Sequence, residues 1–143
     1  MTHRRSITWK SAPRIAASKD SPAKYPKIFR DRHGSMTETA MCWGFDIGDG
    51  WYHLVDALCE ELQRETDQGG PQVVATQVKE KYGGLRFYVD ASNDRQSAMI
   101  DFAEALSLRT CETCGAPGTL GESKTGWLAT RCEAHRDPGK QQP

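Results

Sequence analysis

Apolar residues recur at helical spacing between Trp51 and Leu62. Trp51, Leu54, Val55, Leu58, Cys59 and Leu62 fall at i, i+3, i+4, i+7, i+8 and i+11. That period lines one face of an amphipathic helix. Gly48-Asp49-Gly50 breaks the chain just before it, and Asp49 is the expected N-cap, since its carboxylate can accept first-turn amides. Gln68-Gly69-Gly70-Pro71 ends the element. The pattern then changes. Val73, Val74, Thr76 and Val78 are β-branched, which favours a strand. A helix over residues 72–82, opened by Pro71 and closed at Gly83, is the competing reading. Gly83-Gly84 is read as a two-residue hairpin turn, with residues 85–89 as the returning strand. In that register Tyr82 faces Leu85, Glu80 faces Phe87 and Val78 faces Val89. One face of the hairpin is Val78, Tyr82, Leu85, Phe87 and Val89, with Glu80 as its odd member, and the other carries Lys79, Lys81, Arg86 and Tyr88.

Ser92-Asn93-Asp94 forms a turn and cap, and residues 95–108 make a second helix with Met99, Phe102, Ala103 and Leu106 facing inward. Upstream, Met41, Trp43, Phe45 and Ile47 alternate, which suits a short edge strand within residues 37–47. Tyr25-Pro26-Lys27-Ile28-Phe29 is the first segment with enough apolar mass to dock on a core. The predicted fold class is α+β: a helix–β-hairpin–helix core with a C-terminal module of the zinc-ribbon or knuckle kind. The expected organisation is a poorly ordered basic arm at 1–24, a core at 25–108, a zinc module at 109–136 and a tail at 137–143.

The module is predicted from cysteine spacing. Cys111-Glu-Thr-Cys114-Gly115 presents two thiolates on a tight turn, and Cys132-Glu-Ala-His135 repeats the spacing with an imidazole as the last ligand. Seventeen residues separate the pairs, within the range of two-knuckle zinc sites. Cys₃His is a closed tetrahedral set, which points to a structural Zn²⁺. Redox use of Cys111 and Cys114 lacks the strand-then-helix setting of a thioredoxin motif. Cys59 lies on the helical stripe and reads as a small core hydrophobe, and burial is also the default for Cys42.

Composition narrows the class. The chain has 143 residues, 37% hydrophobic and 27% charged, which is a modest core that profits from a metal staple. No apolar run approaches a membrane span, and no apolar segment follows Arg4 and Arg5, so neither a membrane anchor nor a signal peptide is expected. The expected location is a reducing cytoplasm, where cysteines serve as ligands or buried thiols. The formal net charge of zero hides an asymmetry. Residues 1–33 carry nine Lys/Arg against Asp20 and Asp31, a net +7, which leaves −7 on the rest. A basic stretch from Arg4 to Arg32 can meet nucleic acid or a protein partner, or fold back on its own acidic body.

Two further clusters are candidates. Trp43, Asp46, Asp49 and Trp51 crowd nine residues with glycines, and with Arg86 and Tyr88 they would form a cleft for a small anionic ligand such as a nucleotide. The same residues equally suit a helix start with both tryptophans in the core. Lys79, Lys81 and Arg86, with Tyr88 beside them, would suit nucleic acid, or simply form the solvated side of a sheet. A catalytic pair of His53 with Asp49 or Asp56 has no nucleophile in recognisable context.

Tyr25-Pro-Lys-Ile-Phe, Met36-Thr-Glu-Thr, Met41-Cys-Trp-Gly-Phe, Gly48-Asp-Gly-Trp51, Lys79-Glu-Lys-Tyr-Gly-Gly-Leu-Arg-Phe-Tyr88 and Cys111-x-x-Cys-Gly together resemble a group of small bacteriophage and bacterial-host proteins of unassigned activity. The resemblance covers residues 25–135. It implies a phage or prophage accessory protein in the cytoplasm of a bacterial host cell. Such a protein would bind a host protein, a nucleic acid or a nucleotide defence signal. The expectation is a non-enzymatic binding module, with a sponge of a nucleotide signal or a small hydrolase as alternatives.

Overall fold

The structure, a computed structural model, describes residues 21–33 and 45–136. The predicted basic arm, Cys42, Trp43 and the C-terminal tail fall outside them, wholly or in large part. The described chain is mixed α and β. A single helical turn, α1 (Ser21–Lys24), leads to a two-residue strand β1 (Phe45–Asp46) and the helix α2 (Tyr52–Asp67). Strands β2 (Ala75–Lys81) and β3 (Gly84–Val89) precede the helix α3 (Asp94–Ser107). A second small sheet, β4 (Thr119–Glu122) and β5 (Leu128–Arg131), completes it. Among the described residues no helix is long and apolar enough to cross a membrane.

The stripe on α2 is buried as its period demands: Val55, Leu58, Cys59 and Leu62 are all at most 5% exposed. Burial pushes the Cys59 thiol far above its ordinary pKa, which leaves it an inert core group. Asp49 does not cap the helix. A 3-10 turn, Asp49–Trp51, precedes α2, and the Trp51 amide bonds to the Gly48 carbonyl at 3.2 Å while the Asp49 side chain stays exposed. Backbone has taken the role that a side chain was expected to play.

Residues 75–81 form a strand, so the competing helix is not adopted. The hairpin turn is Tyr82-Gly83, both with positive φ (53° and 83°), and not Gly83-Gly84. Pairing is therefore Val78 with Phe87, Lys79 with Arg86 and Glu80 with Leu85. Sliding the turn by one residue moves every partner by two, which preserves the alternation of faces. Only Tyr82 changes role, leaving the apolar face for an exposed turn position. The sheet also gains a third strand, because Phe45 and Asp46 pair in parallel with Val78 and Lys79. Phe45 brings its ring to within 5.0 Å of Phe29 and 5.9 Å of Tyr52, which fastens this short strand to the core. Ile28 and Phe29 are buried, and the Ile28 carbonyl accepts the Ala75 amide at 2.8 Å.

On α3 the inward face is rotated from the one expected. Gln96, Ile100, Ala103 and Ser107 are buried, whereas Phe102 and Leu106 are exposed. Two buried polar residues account for the rotation. Gln96 closes a capping box with Asn93 and donates to the Thr66 hydroxyl and the Pro71 carbonyl, both at 3.1 Å, which ties α3 to the end of α2. Ser107 Oγ accepts the Leu85 amide at 2.8 Å, and Glu104 Oε1 accepts the Phe87 amide at 3.0 Å. β3 is an edge strand, so these side chains cover amides that would otherwise invite another strand. Ser107→Ala should leave the Leu85 amide buried without an acceptor. A loss of about 1–3 kcal/mol is expected, seen as a lower urea midpoint at unchanged m-value. An unchanged midpoint would show that water takes the hydroxyl's place.

Candidate metal centre

α3 ends at Ser107, and the chain turns at once into the first cysteine pair. The Cys111 carbonyl accepts the Gly115 amide at 2.8 Å, and the Cys111 amide donates to the Ala116 carbonyl at 2.7 Å. These bonds close a tight knuckle around residues 111–116. β4 and β5 then run antiparallel, pairing Leu120 with Thr130 and Glu122 with Leu128. β5 returns the chain to Cys132, and a 3-10 turn (Glu133–His135) lifts His135 back over the knuckle.

Cys111, Cys114, Cys132 and His135 converge: one ligand atom from each lies within 4.8 Å of all the others. Cys114 Sγ is 3.7 Å from Cys132 Sγ, and His135 Nδ1 is 3.2 Å from Cys132 Sγ and 3.7 Å from Cys111 Sγ. Such a cluster can hold a metal ion. Burial opposes ionisation of the Cys111 thiol, but the backbone amides of Cys132, Cys114 and Thr113 outweigh it and lower the pKa to about 6. Cys111 is then thiolate, the ligating form, at neutral pH. Burial pushes the Cys114 thiol up to about 11, and the sulfurs of Cys132 and Cys111 add to that. A cation coordinated between them would remove the conflict, since it stabilises every thiolate at once.

The module is seated on the core through the Gly48-Asp49-Gly50-Trp51 segment. The Gly50 amide donates to the Glu112 carbonyl at 2.7 Å, and Trp51 Nε1 donates to the Thr110 carbonyl at 2.8 Å. A side chain at Gly50 would meet the Cys111 carbonyl at 2.1 Å and the Gly115 amide at 2.5 Å. One at Gly48 would meet the Glu112 carbonyl at 2.5 Å. On the other side, Thr130 is buried and donates its hydroxyl to the Gly83 carbonyl at 2.7 Å, which fixes β5 against the tip of the β2–β3 hairpin. Glu112 is partly enclosed in the junction; burial raises its pKa and Arg131, 3.4 Å away, opposes the shift.

This arrangement corrects the predicted ligand cleft. Trp51 has no exposed surface, so its ring is not available to stack on a ligand. It belongs to the core cluster with Leu85 and Phe87, whereas strand alternation sends Arg86 and Tyr88 to the opposite side of the sheet. Asp46 pairs alongside Lys79 on β1, and Asp49 is exposed on the 3-10 turn. Trp43 lies outside the described residues. His53 is exposed, and Asp56 is taken by Lys24 Nζ at 3.0 and 3.1 Å, so at Lys24 the basic segment folds back on the acidic body. Lys79, Lys81, Arg86 and Tyr88 do share one sheet face. Sequence reasoning missed the role of Gly48, Gly50 and Thr130 as the seat of the module. Two glycines beside a tryptophan signal a close approach, but not what approaches. The chain matches no protein-family model, no curated protein and no solved structure.

Proposed function

We propose that this chain is a small non-enzymatic binding module whose C-terminal unit is held by one structural zinc ion on Cys111, Cys114, Cys132 and His135. The convergence of those four side chains carries the proposal. A tetrahedral zinc with bonds of ~2.3 Å to sulfur and ~2.0 Å to nitrogen places its sulfurs ~3.8 Å apart and each sulfur ~3.5 Å from the nitrogen. Three of the six separations, 3.7, 3.7 and 3.2 Å, lie within a few tenths of an ångström of this, and all six lie within 4.8 Å. Thiolates and imidazole suit zinc and not the oxygen-seeking calcium or magnesium. Four protein ligands fill a tetrahedron and leave no position for a reacting water, which supports a structural role. In this reading α2, the β2–β3 hairpin and α3 form a core that meets a host protein or a nucleic acid, and the zinc unit braces it. Metal analysis of protein from zinc-supplemented culture is the test. One zinc per chain is expected, lost when Cys111 and Cys132 are both changed to Ser. Zinc-free protein that is nonetheless folded overturns the proposal.

A further inference from the structure

We infer that the outer face of the three-stranded sheet binds single-stranded nucleic acid, with Lys79, Lys81 and Arg86 holding phosphates and Tyr88 stacking on a base. The inference deepens the binding-module proposal and rests on it, but not on the identity of the metal.

The face is built by strand alternation. Val78, Leu85 and Phe87 turn into the core, so Gln77, Lys79 and Lys81 of β2 and Arg86 and Tyr88 of β3 point the other way. Lys79 lies directly opposite Arg86, and Gln77 opposite Tyr88. The Lys79 ammonium sits 5.9 Å from the centroid of the Tyr88 ring, and the Lys81 ammonium 5.6 Å from that of Tyr82 at the hairpin tip. Both rings are open, Tyr88 at 39% and Tyr82 at 69% exposure.

Charge identifies the occupant. Beyond residue 33 the chain carries a net −7, and three of its other cations find carboxylates: Arg64 with Glu60 and Glu61, Arg95 with Glu65, Arg131 with Glu112. Among the described residues no ion pair engages Lys79, Lys81 or Arg86; Arg86 donates only to the carbonyl of its neighbour Leu85. Asp46 is the one carboxylate in the row, at the β1 end beside Lys79, and it bounds the positive area on that side. Three cations outside any ion pair, gathered on one sheet face, suit an anion from outside. Lys79 and Lys81 stand two residues apart on one strand, ~7 Å along it, a spacing that suits successive phosphates of an extended chain. Tyr88 then offers its ring to a base. A duplex keeps its bases stacked on one another, whereas a single strand can place one on a tyrosine.

The test is fluorescence anisotropy of labelled oligothymidylate and oligouridylate, and of the matching duplex, with the full metal-loaded chain from low to physiological salt. Lys79→Gln, Lys81→Gln and Arg86→Gln should each reduce the slope of log K against log salt by about 0.7, the value for one lost phosphate contact on a single strand. Tyr88→Ala should weaken binding about fivefold or more with the slope unchanged, and Tyr88→Phe should restore it. Neutralising Arg4 and Arg5 should leave these differences in place. Absence of saturable binding at low salt overturns the inference and leaves a protein as the partner of this face. Equal affinity for the duplex overturns it, as does binding that all four sheet variants leave intact. Zinc content is measured on the same samples: strand binding absent with zinc present sinks this inference alone, and strand binding present with zinc absent sinks the metal assignment alone.

Discussion

On the proposed zinc assignment, removing the metal with a chelator should unfold the core as well as the C-terminal hairpin. Cys111, one of the four converging side chains, is fully buried, and its knuckle holds the entry to α2 through Gly50 and Trp51. Without an ion, Cys114 and Cys132 have no reason to remain near His135, and the carbonyls of Thr110 and Glu112 lose their fixed positions. Trp51 then keeps its ring in the core only at the cost of an indole N–H without its acceptor. Structural zinc contributes about 10–16 kcal/mol to folding in small finger peptides, while a whole domain has a net stability of about 5–15 kcal/mol. Even part of that contribution exceeds the margin of a domain this size. Far-UV circular dichroism should show loss of helix on chelation, and the Trp51 indole proton resonance should lose its dispersed shift. A spectrum in which only residues 109–136 change would show that the core stands alone, and the coupling through Gly50 and Trp51 would be wrong.

Gly50→Ala should be nearly as damaging, for a steric reason independent of metal chemistry. The added methyl would lie 2.1 Å from the Cys111 carbonyl, 2.5 Å from the Gly115 amide and 2.7 Å from the Glu112 carbonyl. All three are backbone atoms of the knuckle, so no side-chain rotation relieves the clash. Either the knuckle retreats and breaks the Gly50–Glu112 bond, or the start of α2 shifts and carries Trp51 out of its site. Overpacking of a core commonly costs about 1–3 kcal/mol, and a site with no soft neighbour belongs at or above the top of that range. Gly121→Ala is the control, because nothing lies within 4 Å of a side chain there; its effect should stay within about 0.5 kcal/mol. Equal melting temperatures for the two variants would show that the module is not seated on Gly50.

The local part of this architecture is legible in the residues. The spacing of Val55, Leu58, Cys59 and Leu62 dictates a buried helical face, because apolar side chains at that period can leave water only together. Alternation assigns Lys79, Lys81, Arg86 and Tyr88 to one side of the sheet whichever of two adjacent turns is used, since parity survives the slip. The paired spacings at Cys111, Cys114, Cys132 and His135 foretell their convergence, because short turns leave two nearby side chains few directions to point. These features depend on neighbours close in the chain.

Tertiary contact decided what depended on distant groups. The face of α3 turned on Gln96 and Ser107, polar residues that hydropathy places outside, yet acceptors and donors on α2 and β3 make burial the better state for both. Phe102 and Leu106 were left exposed because only one face of a helix can meet the core. Phe45 and Asp46 became a parallel strand because β2 had a free edge to satisfy, a fact invisible at residues 45 and 46. The Gly48-Asp49-Gly50-Trp51 segment has the composition of a ligand loop and serves as a seat. Glycine permits close approach by anything, and it was the knuckle folding back from 60 residues downstream that took the space. Sequence determined which residues share an element and a face; long-range packing, acting through unsatisfied amides and excluded volume, determined what each face meets.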